Sequence, residues 1–427
     1  MKQFKMILAL LVWLGAVGCS QQEFSETVVP EKVEQQEETT IGTRVSKRLA
    51  VQRAKNAVKW ISDGPQSRSD LLRVERVEVV GGSAASRTDA ADTLFYLVNF
   101  SDNQGYALVA ADERNTDVYM MSDEGSLDLS ELDPSSSLAY FMEQAEEYAL
   151  YEISEFDRIP IDSLDRPVNK DDTISILIPE YHDGEWFHVY RDERTINYGT
   201  QLTTRWHQYE PYRNLCFTDI DNLAAPAGCV AVAVGQIMAY HRYPFGYNNH
   251  IYNWSEVLAT PDVANGSNAA KESVAYLIRD IGDLANMQYY EYGSYATPEN
   301  AVTTLRLLGY DTGDLIDYSY DMAVASLSEE QPIFAGGWPV ATNPEGHAWV
   351  IDAAQTVIDD EYFFEVGTLL LRYVLHHGGN YVHCNWGYQT PVPSWTLSDV
   401  FTCGNIHYSY NNKMIGYIRT EQMVPIL

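Results

Sequence analysis

Cys229 is the residue with the most chemistry to offer. It follows Gly228 and opens the run Cys229-Val230-Ala231-Val232-Ala233-Val234-Gly235-Gln236-Ile237-Met238-Ala239-Tyr240-His241, apolar nearly all round. Such a run predicts a buried helix, although a buried strand would share its early residues. As a helix it puts the thiol at an N-terminus, where unpaired N–H groups and the dipole favour the thiolate. A thiol nucleophile then needs an imidazole to take its proton and a third group to fix the ring. His347 lies 118 residues downstream, in Gly346-His347-Ala348-Trp349-Val350-Ile351-Asp352, at the edge of an apolar, β-prone stretch. Asn385 and Trp386 follow in His383-Cys384-Asn385-Trp386-Gly387, again in strand-like context. The order Cys, His, Asn suits a cysteine enzyme whose site only folding can assemble.

Four blocks in one order resemble the streptopain-like cysteine peptidases of the papain-like clan. Residues 228–244 resemble the nucleophile segment. Residues 202–212, Leu-Thr-Thr-Arg-Trp-His-Gln-Tyr-Glu-Pro-Tyr, resemble the family's Thr-Thr-x-Trp-x-Gln-x-x-Pro-Tyr block. Gly346-His347-Ala348 and Asn385-Trp386-Gly387 fit its histidine and Asn-Trp blocks. The similarity spans residues 190–420, with a weaker match to a prosegment before it.

The resemblance implies an α+β fold, a papain-like catalytic domain preceded by a small α+β propeptide domain. It implies Cys229 as nucleophile and His347 as general base and acid. Gln208 would donate its side-chain N–H to the oxyanion beside the backbone N–H of Cys229. Asn385 and Trp386 would orient and shield the imidazole. The activity implied is that of an endopeptidase made as a self-inhibited zymogen, cutting protein or peptide substrates through a Cys229 thioester, with no cofactor. Two departures stand out. Where relatives carry a glycine-rich loop, this chain reads Tyr388-Gln389-Thr390-Pro391-Val392-Pro393-Ser394-Trp395, and two prolines fix φ and remove donors. Arg213 also replaces the family's usual asparagine after Pro211-Tyr212.

The N-terminus carries an address. A basic start, Met1-Lys2-Gln3-Phe4-Lys5, precedes an apolar stretch over residues 6–14 that is too short to span a bilayer. Gly15-Ala16-Val17-Gly18-Cys19 resembles a bacterial lipobox. That reading places cleavage before Cys19 and a lipid on its thiol, anchoring the protein to the outer membrane or cell surface. Plain secretion is the alternative.

The chain then divides as follows: 1–19 signal and lipobox, 20–45 flexible tether, 46–160 inhibitory propeptide-like domain, 161–189 linker with the processing region, and 190–427 peptidase domain. Ser46 caps a helical pattern carrying Val51, Ala54, Val58 and Ile61, stopped at Gly64-Pro65. Residues 94–99 and 105–110 read as two strands joined by a turn, and residues 138–152 as a helix.

Composition limits partners. With 28 Lys+Arg against 60 Asp+Glu the formal charge is −32, which repels phosphate backbones and disfavours nucleic acid. The 30 tyrosines include a cluster at Tyr289, Tyr290, Tyr292 and Tyr295, which suits either packing or a binding cleft. Five cysteines are few. With Cys19 lipidated and Cys229 a free thiol, Cys216, Cys384 and Cys403 cannot pair completely. Free thiols and a Cys384–Cys403 disulfide are both open. No metal is expected: His376, His377 and His383 lack zinc-ligand spacing and suit strands about a Gly378-Gly379 turn. Two further functions use the same residues: a binding protein that keeps the fold without a competent site, and a transglutaminase-like acyl transferase.

Overall fold

The computed structural model describes residues 44–61, 72–81, 93–130, 132, 136–158, 178–182, 185–218, 221–339, 346–366, 371–388, 393–402 and 410–420. The signal, Cys19 and the tether as far as residue 43 lie outside them, as do Pro391 and Cys403; the last two tether residues are docked, Val45 being buried with its N–H donating to Ala111 O at 3.0 Å, because they enter the meander beside α1.

Helix α1 (Lys47–Ile61) opens the first half, with Ser46 Oγ accepting from Leu49 N at 3.2 Å. It buries Ala50, Ala54, Ala57 and Val58. Against that face lies an antiparallel meander of β1 (Val74–Gly81), β2 (Thr93–Phe100), β3 (Tyr106–Ala110) and β4 (Val118–Ser122). Gly105 closes the β2–β3 turn at φ 105°, where a Cβ would stand 2.0 Å from the Ser122 carbonyl oxygen. Only glycine fits there. Helix α2 (Ser137–Arg158) ends this half and is longer than its sequence pattern suggests; the Ser136 hydroxyl accepts from Ala139 N at 3.0 Å.

The second half begins with a hairpin, β5 (Ile178–His182) and β6 (Glu185–Gly199). The span 161–189, read from sequence as a linker, therefore ends in strand. Strand β6 hides because Arg191-Asp192-Glu193-Arg194 is charged throughout and backbone pairing holds it more than burial does. Next come α3 (Cys229–His241), a small hairpin of β7 (Gly246–Tyr247) and β8 (His250–Ile251), α4 (Trp254–Val257) and α5 (Asn268–Leu284). A second hairpin, β9 (Gln288–Tyr290) and β10 (Gly293–Tyr295), leads to α6 (Pro298–Leu307), β11 (Tyr310–Asp311), β12 (Ile316–Asp317) and α7 (Tyr320–Ser328). The chain then lays down β13 (Ile333–Pro339), β14 (His347–Glu365), β15 (Leu371–His376), β16 (Gly379–Asn385), β17 (Ser394–Leu397), α8 (Asp399–Thr402), β18 (Tyr410–Ile415) and β19 (Arg419–Thr420). No helix among the described residues is long and apolar enough to cross a membrane.

Strand β14 organises this half by changing neighbours along its length. Residues 347–351 pair with β13 and residues 353–365 with β6 on one side; residues 350–357 pair with β16 and residues 360–364 with β15 on the other. Asp352, at the changeover, accepts from Leu202 N at 2.7 Å and holds His383 Nδ1 of β16 at 2.6 Å, both side chains buried. One carboxyl thus pins three segments.

The two halves share a sheet and a core. Strand β4 pairs with β17 through Met121↔Trp395 and Met120↔Thr396, so the order runs β1-β2-β3-β4-β17-β16-β14-β13-β18-β12. Tyr381 Oη donates to Val118 O at 3.1 Å, Gln355 Nε2 to Trp60 O at 3.1 Å, and Asn412 Nδ2 to Gln144 Oε1 at 2.6 Å. Arg205 pairs with Glu124 across the same boundary. Phe141 of α2 packs on Trp386 and Phe401, ring centroids 5.9 and 5.8 Å away.

His377 bridges the halves electrostatically. Its Nδ1 lies 2.8 Å from Asp117 of the first half and its Nε2 3.9 Å from Glu361 of the second. Arg53 supports Asp117 at 2.9 Å and Arg191 supports Glu361 at 2.6 Å. Asp117 first, then Glu361, push the imidazole up to about 10, and His377 with Arg191 pulls Glu361 down to about 2. A histidine raised in the folded state stabilises fully below its unfolded pKa of ~6.5, and that contribution is lost as pH rises through about 10. Between about pH 7 and 10.5, thermal unfolding of the intact chain should therefore weaken more in wild type than in His377→Gln. Parallel pH profiles would show that this imidazole carries no charge in the bridge.

Candidate active site

Helix α3 begins where the sequence places it, with Cys229 as its first residue. Gly228, at φ 87° and ψ 134°, turns the chain into the helix, and no side chain caps the terminus. A Cβ on Gly228 would come within 2.8 Å of Met287 Cε and 2.9 Å of its sulfur. Both the backbone angle and the space demand glycine beside the thiol. Residues Val230 to Ala239 are all buried. Gly235 lets Trp206 and Ile278 approach within 3.1 Å of where its Cβ would be, so both close on one face of the helix.

The Cys229 thiol meets the backbone N–H of Ala348. Ala348 follows His347 at the start of β14, and β16 pairs with β14 only from Val350 onward. The strand edge at Ala348 is therefore open on that side, and Cys229 takes its N–H. The carbonyl of the same residue accepts from Ser137 Oγ of α2 at 3.4 Å. Burial pushes the thiol's pKa up, opposed by the N–H groups of Ala348, Val230 and Cys229 itself. In this covered arrangement desolvation outweighs the helix terminus, contrary to the expectation of a ready thiolate.

His347 lies under α2. Its ring centroid is 5.5 Å from that of Tyr140, which also reaches Trp349 at 6.2 Å. Gly337, paired with His347 across the β13–β14 ladder, is where the Tyr140 hydroxyl rests; a Cβ there would stand 2.2 Å from it. Ser137, Tyr140 and Phe141, all in the first turn or so of α2, thus cover Ala348, His347 and Trp386.

Gln208 is held at both ends of its amide. Oε1 accepts from Gly228 N at 3.1 Å, and its backbone carbonyl accepts from Ala227 N at 3.0 Å. Nε2 therefore points away from Gly228, and it donates to Tyr388 Oη at 3.1 Å. Tyr388 is a site residue that sequence reasoning noted only as part of an atypical loop. Asn385 is buried and its Nδ2 donates to the Thr204 carbonyl at 2.7 Å, tying the Thr-Thr-x-Trp block to β16. Trp386 is buried too, its Nε1 bound to Ser394 Oγ at 2.9 Å and its ring 5.8 Å from Trp349. It forms a wall between the strand and α2.

The tyrosine cluster divides. Tyr289 is buried beside Cys216, whose thiol burial raises to about 11, whereas Tyr290, Tyr292 and Tyr295 are exposed on the β9–β10 hairpin. That hairpin touches the segment before the nucleophile, with Ser294 Oγ donating to Pro226 O at 2.6 Å. Cys216, Cys229 and Cys384 are free thiols, and Cys384 Sγ sits 3.3 Å from Thr396 Oγ1. His376 and His377 are spent on Asp360 and Asp117.

Comparison with known proteins agrees with this architecture. Residues 206–392 match the Peptidase C10 family, and residues 42–149 match the Spi protease inhibitor family. Streptopain of Streptococcus pyogenes serotype M1 is 24% identical over 372 residues, 77% of each chain. The thiol protease/hemagglutinin PrtT of Porphyromonas gingivalis is 25% identical over 352 residues, 76% of this chain and 37% of that one. Among solved structures, a fragment of Prevotella intermedia prointerpain A superposes with a TM-score of 0.53 at 18% identity, covering 80% of this chain and 98% of that one. That likeness establishes the shared fold. With the peptidase match carrying the thiol and imidazole segments and the inhibitor match carrying α1 through most of α2, the chain belongs to the streptopain-like cysteine peptidases, a C10 peptidase behind its own inhibitor-type domain.

Proposed function

We propose that this peptidase is a zymogen that hydrolyses protein substrates through Cys229, with α2 lying across the site until the N-terminal half leaves. The supporting observation is the meeting of Cys229 with the peptide of His347-Ala348 beneath Ser137 and Tyr140. Once uncovered, the Cys229 sulfur attacks the scissile carbonyl and His347 carries the thiol proton. The oxyanion is taken by Gln208 Nε2 and the Cys229 N–H; losing one such donor typically costs about 10²–10³ in rate. His347 gives its proton to the leaving amine, then draws one from the water that cleaves the thioester. Asn385 and Trp386 hold the wall behind the imidazole.

The inhibitory domain in this reading runs to the end of α2 at Arg158, and the catalytic domain starts at β5, whose partner β6 is laced along β14. Processing falls between them. Export by the N-terminal signal, with lipid on Cys19, completes the proposal; the motif is its only support.

Three measurements test these points. Intact mass of the precursor lacking residues 1–19, incubated with reductant, should show a cut between Arg158 and Ile178 in wild type and none in Cys229→Ala. A cut shared by both proteins would leave Cys229 without the role assigned to it. Gly228→Ala, strained at its φ and crowded by Met287, should lower kcat/KM of the processed enzyme at least tenfold; an unaffected rate would mean the helix entry tolerates displacement. Growth of the expressing bacterium with labelled palmitate should label wild type and not Cys19→Ser, and an unlabelled wild type would leave plain secretion.

A further inference from the structure

We infer that Tyr388 is a positioning residue for the oxyanion donor, acting through the side-chain amide of Gln208. The inference rests on the role proposed above for Gln208. A glutamine amide has one acceptor oxygen and two N–H donors. In this site the oxygen is spent on Gly228 N and one N–H on Tyr388 Oη, both at 3.1 Å. The amide plane is thereby fixed at its two ends, and the second N–H is the one available to a developing oxyanion. A donor that aids catalysis must already be aimed where charge appears, because reorientation during the reaction consumes the benefit. Gly228 alone would leave the amide free to swing about its one anchored atom.

The hydroxyl is itself well placed to hold that aim. Tyr388 follows Gly387, which adopts φ 73° and sits with its Cα side 3.2 Å from Val232 Cγ1, measured to where a Cβ would be, on the first turn of the nucleophile helix. Before it comes Trp386, locked to Ser394. The ring packs against the core that contains Trp386 and Trp395. Tyr388 therefore reports the position of α3 and of the Trp386 wall to the one side chain assigned to the oxyanion. This gives a purpose to Tyr388, the first atypical residue after Asn385-Trp386-Gly387.

The test is Tyr388→Phe, which keeps the ring and removes the hydroxyl, in enzyme obtained by processing the full chain. One hydrogen bond of about 1.4 kcal/mol corresponds to tenfold in rate, so kcat should fall about tenfold with KM little changed. A peptide aldehyde, whose hemithioacetal oxygen uses the oxyanion donors, should bind about tenfold more weakly. Alkylation of Cys229 by iodoacetamide, which develops no oxyanion, should proceed at the wild-type rate and shows that the thiol site is intact. In a Gln208→Ala background Tyr388→Phe should add nothing further. Unchanged or faster turnover by Tyr388→Phe, or an equal loss in the Gln208→Ala background, overturns the inference. Failure of the underlying reading looks different: Gln208→Ala alone would then leave kcat and aldehyde binding at wild-type values.

Discussion

The site depends on one constraint: α3 is apolar on every face, so it can exist only when enclosed. A helix with a single apolar stripe can lie on a surface and rotate to suit its neighbours. This one cannot, and the elements around it are placed to bury it. Trp206 and Ile278 close on Gly235, and α5 brings Ile281 to the same face. The sheet supplies Ala348 and Val350 of β14 and Phe334 of β13 to the same core. With its length enclosed, the helix opens only at its end. That end carries Cys229, which meets the Ala348 N–H on β14, beyond the stretch paired with β16. Burial of the helix and juxtaposition of thiol and histidine segment are thus one packing event.

The same open edge explains how an N-terminal domain can silence the centre. Among the described residues strand β14 has no ladder partner at Ala348 on that side, because β16 joins two residues later. A bare carbonyl near an active site must be satisfied by water, substrate or a neighbouring side chain. In this chain Ser137 satisfies it. Inhibition therefore uses the group an extended substrate could also reach, and the aromatic rings of Tyr140 and Phe141 fill the volume beside it. Desolvation of the thiol is the electrostatic counterpart: it pushes the Cys229 pKa up and so disfavours the nucleophilic thiolate.

Much of this was legible from residue order. The α3 run announced itself by composition, α1 by Ser46 and the spacing of Val51, Ala54, Val58 and Ile61 (of which Ala54 and Val58 are buried, beside Ala50 and Ala57), and β2–β3 by two apolar runs about a turn. The expectation that Cys229, His347 and Gln208 share one place came from residue order and family blocks; in the fold Gln208 holds Gly228 and Cys229 meets Ala348, the residue after His347. What stayed hidden has a common cause. Strand β6 buries alternate residues only at Phe187 and Val189 and is charged and largely exposed from Arg191 onward, so its period breaks off halfway. The β4–β17 seam joins residues 274 apart at Met121↔Trp395, and pairing across such distance leaves no local trace. Asp352 carried no signal of its own in the sequence; only its contacts with Leu202 and His383 make it a pin. Tyr388 was visible as a departure, but its meaning needed the orientation of the Gln208 amide.

The shared sheet also separates two events that are easily merged, cutting and release. A cut between α2 and β5 breaks one covalent bond and removes none of the contacts named between the halves. The β4–β17 pairing, the Tyr381, Gln355 and Asn412 hydrogen bonds and the Asp117–His377–Glu361 bridge all persist. Parting the halves would bare two strand edges, β4 and β17, and uncover Trp395 and Phe401, which lie in one core with residues of both halves. Exposed edges and apolar surface are costly in water. Cleavage acts chiefly by raising the entropy of the separated state, since the tethered half gains translational freedom and can be diluted or digested away. Under the processing proposed above, release would therefore be a second step with its own barrier, set by the contacts across the seam rather than by the chemistry of the cut.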